Sequence, residues 1–454
     1  MTSRPLDLST PAVGEPNITV GVMDRQTEVT CRLEGAFTGD GFGPVSGRFS
    51  VEAVEGILQL TDEAHRQIAR APVIKLTAGK DATFTLFNVT IGNRFHWQRN
   101  ENQAFHGNLI FRPRENGTIT AINEISLEDY LKSVISSEMS ATAPMEFLKT
   151  HAILSRSWLL AALERRKETE DTSKPAGRIV EKEREVVRWY DREDHDLYDV
   201  CADDHCQRYQ GVTKITSGHA EEAVLETRGM VIAYGSEICD ARYAKACGGI
   251  TEDFETAWED KRVPYLKSVS DAPLPHYPVV TEEEAVRWIL SFPDAYCNTK
   301  DERLLERILP DFDRDTTEFF RWTIDYARGD LEEILRTKSG IDFGMLQEII
   351  PLARGPSGRI SRLNIVGSKR SMVVGKELEI RRWLSRTHLY SSAFIVTVTR
   401  DASGKAQAFT FHGAGWGHGV GLCQIGAAVM ATRGFTAEQI LGHYFRDVEI
   451  RKIY

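Results

Sequence analysis

The chain has 454 residues, 41% hydrophobic and 27% charged, with 35 Gly and 16 Pro. These proportions describe a globular protein and exclude fibrous, disordered and membrane-spanning classes. Acidic residues outnumber basic ones, 66 to 56, and no Lys/Arg block forms the basic stripe that a nucleic acid would need.

At ~150 residues per domain the length predicts two to three structural units. The cysteines number seven: Cys31, Cys201, Cys206, Cys239, Cys247, Cys297 and Cys423. An odd count in so long a chain is no disulfide framework. Residues 1–30 carry no apolar leader segment, so no signal peptide is read there. The most apolar stretch, Trp158 to Leu163, is too short to span a bilayer.

In chain order, residues 18–35 alternate and are β-branched, which predicts a strand or hairpin. FSVEAVEGILQL, PVIKLTA, TFTLFNVTI and GNLIFRPRENGTITAINEI continue in the same way, with Asn116-Gly117 as a turn. SLEDYLKSVISSEM then begins a helix, with Ser126 three residues before Asp129 in a cap-like start. Pro144 opens a second helix, in which Leu148, Ala152, Ser155, Leu159 and Ala162 share a face. The two make a helical hairpin with Glu138 near the end of its first arm.

Residues 164–194 are charge-dense and read as a solvated helix or loop insertion. A short helix is expected at 219–226, ended near Gly229. Residues 280–348 read as helical, with Trp288, Leu290, Leu304, Ile308, Trp322, Ile324, Leu331 and Ile334 as core face. ISRLNIVGSKRSMVVG and FIVTVTRDASGKAQAFTFHG read as strands, and a last helix starts after Thr436.

The class is therefore α+β. A β-rich N-terminal part, a helical hairpin carrying Glu138 and a mixed α/β core with a helical insertion surround a groove. The expected divisions are a 1–17 extension, the β-rich 18–125, a core of 126–271 with 356–454, and the insertion 272–355.

Three clusters could carry chemistry. His195, Cys201, His205 and Cys206 are four N and S donors within twelve residues, a set suited to tetrahedral zinc. The alternative is two buried thiols and two surface histidines. Gly413-Ala-Gly415-Trp416-Gly417-His418-Gly419-Val-Gly421 places glycine at every second residue. In an extended chain that puts all five on one face and Trp416 and His418 on the other. Such a ribbon suits either sugar stacking on the indole or a tight strand crossing in the core. Cys247-Gly248-Gly249-Ile-Thr251-Glu252 follows Tyr243 and Lys245, and nothing in the sequence activates Cys247 or Cys423 as a nucleophile.

Taken jointly and in order, these segments resemble the SpoIID/LytB family, the stage II sporulation protein D and amidase-enhancer type. EISLEDYLKSVISSEM with PMEFLKTHAILSRSW carries the resemblance, as do DVCADDHCQRYQG, AVLETRGMVIAYGSEICDARYAKACGGITED and GAGWGHGVGLCQIGAAVMATRG. It covers most of residues 18–454. Two positions depart from the pattern. Cys247 stands where a small or hydroxyl residue is usual, and Leu422-Cys423 where Met-Ser is frequent.

The resemblance implies a peptidoglycan lytic transglycosylase. Such an enzyme cuts the MurNAc–GlcNAc β-1,4 bond of peptide-stripped glycan strands and leaves 1,6-anhydro ends. The family's acid falls on Glu138 and its Arg after the second helix on Arg156. The family's zinc pattern falls on His195, Cys201 and Cys206, with His205 as a further ligand, and implies a structural Zn2+ and no organic cofactor. Arg156, Gln207, Tyr209, Tyr243, Gly248, Gly249, Thr251, Trp416, Gly417, His418 and Gln424 are then expected to bind or orient the glycan. Arg156 could instead pair with a buried acid.

A single carboxyl suffices if the substrate's C6 hydroxyl attacks, since an oriented intramolecular nucleophile reaches an effective molarity of ~10^5 M or more. That acid needs its proton at working pH, hence partial burial. The alternatives are a silent glycan-binding enhancer of a cell-wall amidase and a zinc hydrolase. The substrate implies the cell envelope, against the missing leader.

Overall fold

Ile18 and Val20 share one face of the first strand, β1 (Asn17–Gln26), and a bulge after Gly21 turns Met23 inward as well. The computed structural model describes residues 14–93, 98–170, 179–190, 195–314 and 316–454, without the side chains of 167–170. After β1 come β2 (Glu28–Gly39), β3 (Gly43–Val54), β4 (Ile57–Asp62), β5 (Gln67–Ala71), β6 (Ile74–Ala78), β7 (Thr83–Ile91), β8 (Arg99–His106), β9 (Asn108–Pro113) and β10 (Ile119–Ser126).

With the short strand Val200–Cys201 they form one sheet. Its order is Val200–Cys201, β1, β10, β9, β6, β2, β3, β4, β5, with β7 paired to β2 and β8. β1 and β2 thus take different partners, so 18–35 is two strands and no hairpin. The β9–β10 turn does fall at Asn116-Gly117, where Gly117 has φ 77° and Asn116 accepts from the Thr118 hydroxyl. Among the described residues 25% are helical and 38% in strands, an α+β protein.

Ser126 caps α1 (Leu127–Glu138) by accepting from the Asp129 amide at 3.2 Å. Leu127, Leu131, Val134 and Ile135 are buried against the sheet and the second helix. The helix stops at Glu138 because Met139 is extended and the Ser140 amide bonds Ile308 O at 2.9 Å. Arg307 Nε also donates to Thr142 O at 2.7 Å, so the helix Glu302–Ile308 holds the hairpin turn beside Glu138.

α2 (Met145–Glu170) runs through the interior. Thr150 to Ala162 are buried on all sides rather than on one face. Within that stretch Arg156 forks onto Glu128, with Nε–Oε1 2.9 Å and Nη2–Oε2 2.6 Å, and Nη1 donates to Met230 O at 2.9 Å. The Gly229 amide adds a bond to Glu128. One buried ion pair therefore ties α1, α2 and the strand Met230–Tyr234 together. The expected helix near 219–226 is present as α3 (Gly218–Glu226).

The second half departs from the sequence reading in three places. The 280–348 region is helical at Glu282–Ile289, Glu302–Ile308 and Arg328–Ser339, but Arg321–Ala327 and Leu346–Arg354 are strands. Trp322 and Ile324, an i,i+2 pair, lie on that first strand, which pairs antiparallel with Ala406–Ala414. Leu290 is 56% exposed rather than core, since its helix covers the sheet with Ala285 and Ile289. The charge-dense stretch continues α2 to residue 170, then forms the hairpin Ile179–Lys182/Glu185–Arg188, which joins Ser371–Gly375 in parallel. Its residues 171–178 and 191–194 lie outside the described residues.

Trp322, Trp383, Phe394, Phe409 and Phe411 fill a second apolar core apart from the main one. Among the described residues no helix is long and apolar enough to cross a membrane.

Arg156→Met leaves Glu128 buried without its cation and should destabilise the protein by about 3–5 kcal/mol in urea unfolding. Adding Glu128→Gln should recover part of that loss, because the pair is coupled.

Candidate active site: a polar cavity around Glu138

Glu138 ends α1 at the edge of a cavity of about 340 Å3. Its side chain is held at one oxygen. Oε1 accepts from the Arg208 amide and from the Tyr243 hydroxyl, each at 2.9 Å. Among the described residues Oε2 accepts no hydrogen bond, so it is the oxygen available to a ligand. The Glu138 carbonyl accepts from Lys245 Nζ at 3.1 Å.

Two ion pairs line the same space beside Glu138. Arg208 pairs with Asp204, and Lys245 pairs with Asp313 at 2.8 Å. Burial pushes Asp204 up to about 6 against the pull of Arg208. Each cation thus has its own carboxylate besides Glu138.

The far wall is aromatic. Trp416 stacks on Tyr390 with ring centroids 4.0 Å apart and planes 17° from parallel. Trp258 meets His418 edge-on, and Arg242 lies over the Trp258 ring at 4.3 Å. Burial, then the charges of Arg242, Arg359 and Arg381, hold His418 well below the usual histidine range, so its ring is neutral. Its Nδ1 accepts from the Val420 amide at 3.0 Å, which leaves the hydrogen on Nε2 as a donor.

The glycine-rich segment is not an extended ribbon. Gly415, Gly417, Gly419 and Gly421 have φ of 76°, 92°, 74° and 73°, a left-handed region that L side chains rarely adopt. The chain curls around the buried Arg359 guanidinium, which donates to Gly417 O. A Cβ at Gly419 would lie 2.4 Å from its Cζ. Alternate glycines here serve packing on an arginine as well as the cavity wall.

Of the residues expected to act on or bind the glycan, Glu138, Tyr243, Trp416, Gly417, His418 and Gln424 line the cavity together, beside His205 and Cys206 of the donor loop. The others do not. Arg156 is spent on Glu128. Gln207 is fully buried between Tyr130 OH and Ser155 O, and Tyr209 stacks on Tyr130 with its hydroxyl on Asn123. Thr251 exchanges bonds with Val269, while Gly248 and Gly249 are left-handed turn residues packed on Ala414 and Trp288. These are framework positions, as their burial requires.

Sequence reasoning missed Arg208, Lys245, Asp204, Asp313, Trp258 and Tyr390. Arg208 and Lys245 stand inside quoted motifs, but nothing singles them out from 56 basic residues. Asp313 and Tyr390 carry no local signal.

His195, Cys201, His205 and Cys206 converge, with all donor atoms within 4.8 Å of one another. His195 Nε2 and His205 Nδ1 lie 3.3 and 3.5 Å from Cys206 Sγ, and the Cys201 amide donates to that sulfur at 3.4 Å. The set offers four protein donors of the N and S type that fit zinc. The loop is seated by β1, since the Ala202 amide bonds Gly21 O at 3.0 Å. Two residues beyond Cys206, its chain delivers the Arg208 amide to Glu138.

Residues 115–234 match the family model described as Stage II sporulation protein, and residues 252–421 match a domain of unknown function, DUF8618. The chain is 22% identical over 331 residues to Stage II sporulation protein D of Bacillus amyloliquefaciens, covering 73% of this chain and 75% of that one. It is 25% identical over 253 residues to the amidase enhancer of Bacillus subtilis (strain 168), covering 50% of this chain and 32% of that one. It is also 28% identical over 165 residues to an uncharacterized protein of Brachyspira hyodysenteriae, covering 36% of this chain. The match spans 37% of the Brachyspira protein's length, so most of that relative lies outside it. Residues 115–234 thus carry a segment of the SpoIID/LytB type, and the chain is similar to both stage II sporulation protein D and the amidase enhancer.

His151 stands behind Glu138, fully buried between Ser155 and Gln424 and edge-on to Tyr243. Burial lowers its pKa to about 4, whereas the unfolded chain titrates near 6.5. The unfolded state therefore binds the extra proton in that window, and stability falls as pH drops from about 6.5 to about 4. His151→Gln should show a smaller drop in thermal midpoint across the same range, measured by circular dichroism.

Proposed function

We propose that this protein is a cell-wall lytic transglycosylase that cleaves the MurNAc–GlcNAc bond of glycan strands with Glu138 as acid and then base. The observation that carries the reading is the held carboxyl. One oxygen is fixed by Arg208 and Tyr243 while the other faces a polar cavity with an aromatic wall.

Glu138 gives its proton to the glycosidic oxygen as the C1–O4 bond breaks. The same carboxylate then takes a proton from the C6 hydroxyl as that oxygen closes on C1, so atoms balance without water. Trp416 and Tyr390 offer stacking faces for a sugar ring, and His418 Nε2 a hydrogen-bond donor. Asp204 and Asp313 are tied to Arg208 and Lys245, whereas Glu138 keeps one oxygen toward the cavity, which favours Glu138 as the carboxyl that meets the substrate.

Zinc on His195, Cys201, His205 and Cys206 would act as a structural Lewis acid that fixes the loop. Four protein donors leave less room for the open position that a metal hydrolase needs. The amidase enhancer among the relatives supports a second reading, glycan binding that stimulates a partner amidase. In that reading Glu138 is dispensable.

Digestion of peptide-free glycan strands by wild type should yield ends one water lighter than hydrolysis products by mass spectrometry. Glu138→Gln should lower the rate by about 10^2–10^4-fold. Unchanged strand binding and no cleavage by either protein would favour the enhancer reading. Cys201→Ser should reduce bound zinc and the thermal midpoint, and an unchanged metal content would remove that site.

A further inference from the structure

A second donor cluster lies away from the loop just described. Cys247, Asp271, Cys297 and Cys423 each direct a ligand atom to one point, all within 4.8 Å of one another. All four are buried, at 2%, 0%, 2% and 1% exposure. They come from four separate segments. Cys247 opens the Gly-Gly turn, and Asp271 follows the Ser270 bridge. Cys297 sits between the helices Glu282–Ile289 and Glu302–Ile308, and Cys423 immediately precedes the helix Gln424–Thr432. We propose that these four side chains bind a zinc ion, a second metal site that fastens the segment carrying Cys297 to the floor of the Glu138 cavity.

Distances and chemistry agree. The Cys247 and Cys297 sulfurs are 3.7 Å apart, and all seven cysteines are unbridged. A disulfide would need about 2.05 Å. A tetrahedron with Zn–S bonds of about 2.3 Å has an edge of about 3.8 Å. Three thiolates and a carboxylate are soft-to-borderline donors that favour zinc over magnesium or calcium.

The ligands are also oriented from outside. The Cys247 amide donates to Cys423 Sγ at 3.2 Å, the Cys297 amide to Asp271 Oδ2 at 2.9 Å and Tyr444 OH to Asp271 Oδ1 at 2.6 Å. Each Asp271 oxygen keeps a second lone pair for a metal.

Ordinary packing explains the cluster less well. Among the described residues no Lys, Arg or His forms an ion pair with Asp271, although it is wholly buried. An acid without a cation is costly in such a place. Close by, Arg321 donates only to backbone carbonyls, those of Gly248, Trp288, Ser291 and Phe320, and its charge acts on Cys247 and Cys297. A half-buried guanidinium of this kind offsets part of the negative charge of a metal–thiolate centre. The two departures from the family pattern, Cys247 and Cys423, meet here.

The placement gives the site a purpose. Leu422–Cys423 pairs with Tyr243–Ala244, so a metal on Cys423 steadies the strand that presents Tyr243 to Glu138. Gln424, the next residue, reaches His151.

The test is the zinc content of the full chain, purified without chelator and measured by plasma mass spectrometry. Cys297→Ser and Asp271→Asn should each bind one equivalent less than wild type. A Cys201→Ser/Cys206→Ser variant should retain the equivalent that Cys297→Ser loses. Should Cys297→Ser not fold, Co2+ replacing zinc in the Cys201→Ser/Cys206→Ser protein reports the site directly, by thiolate-to-cobalt absorption in a tetrahedral spectrum. Zinc content unchanged in folded Cys297→Ser, no thiolate–cobalt band, or a Cys247–Cys297 disulfide in the peptide map would each overturn the proposal.

Discussion

A carboxyl at the last residue of a helix swings freely unless something takes hold of one oxygen. Here two hydrogen bonds from different parts of the chain do so: the Arg208 amide, from the loop seated on β1, and the Tyr243 hydroxyl, from a strand paired with Leu422–Cys423. Much of the surrounding fold serves to bring those two donors to one atom. The N-terminal sheet supplies the edge on which the 200–209 loop lies, and the Arg156–Glu128 pair fixes the helix from which Glu138 projects.

The second core completes the cavity rather than merely adding bulk. Tyr390 brings an aromatic face from it, and Trp416 closes onto that face through the curled glycine segment. Helix Glu302–Ile308 grips the hairpin turn at Ser140 and Thr142, and Asp313, just beyond it, pairs with Lys245. Both clusters of N, S and O donors stand next to the two holding bonds, one behind Arg208 and one behind Tyr243. Donor positions to within a few tenths of an ångström need such a supporting shell.

Features written in short stretches of sequence were legible. The Ser126 cap, the helical hairpin, the Asn116-Gly117 turn and the His195–Cys206 donor loop are all local, and each stands where the spacing put it. Long-range partners were not. Arg156 could be read as touching the site or a buried acid, and only the fold brings Glu128 to it. Cys247 and Cys423 are 176 residues apart, so no spacing rule could join them.

Gly415 to Gly421 misled for a different reason. Alternate glycines suit an extended face and a run of left-handed residues equally, and the choice was made by Arg359, far along the chain. Trp322 and Ile324 were absorbed into a helical pattern because neighbouring segments are truly helical. Gln207, Tyr209 and Thr251 sit in motif segments yet are consumed by core hydrogen bonds.

If Glu138 is the acid of a lytic transglycosylase, the glycan is cut without water as the attacking group. Digestion of peptide-free strands in 18O-enriched water tests this most directly, with the isotope content of the new ends read by mass spectrometry. A lytic transglycosylase leaves new MurNAc ends that carry no 18O, because their C1 oxygen comes from the substrate's own C6 hydroxyl. New ends labelled with 18O would contradict it and identify a hydrolase.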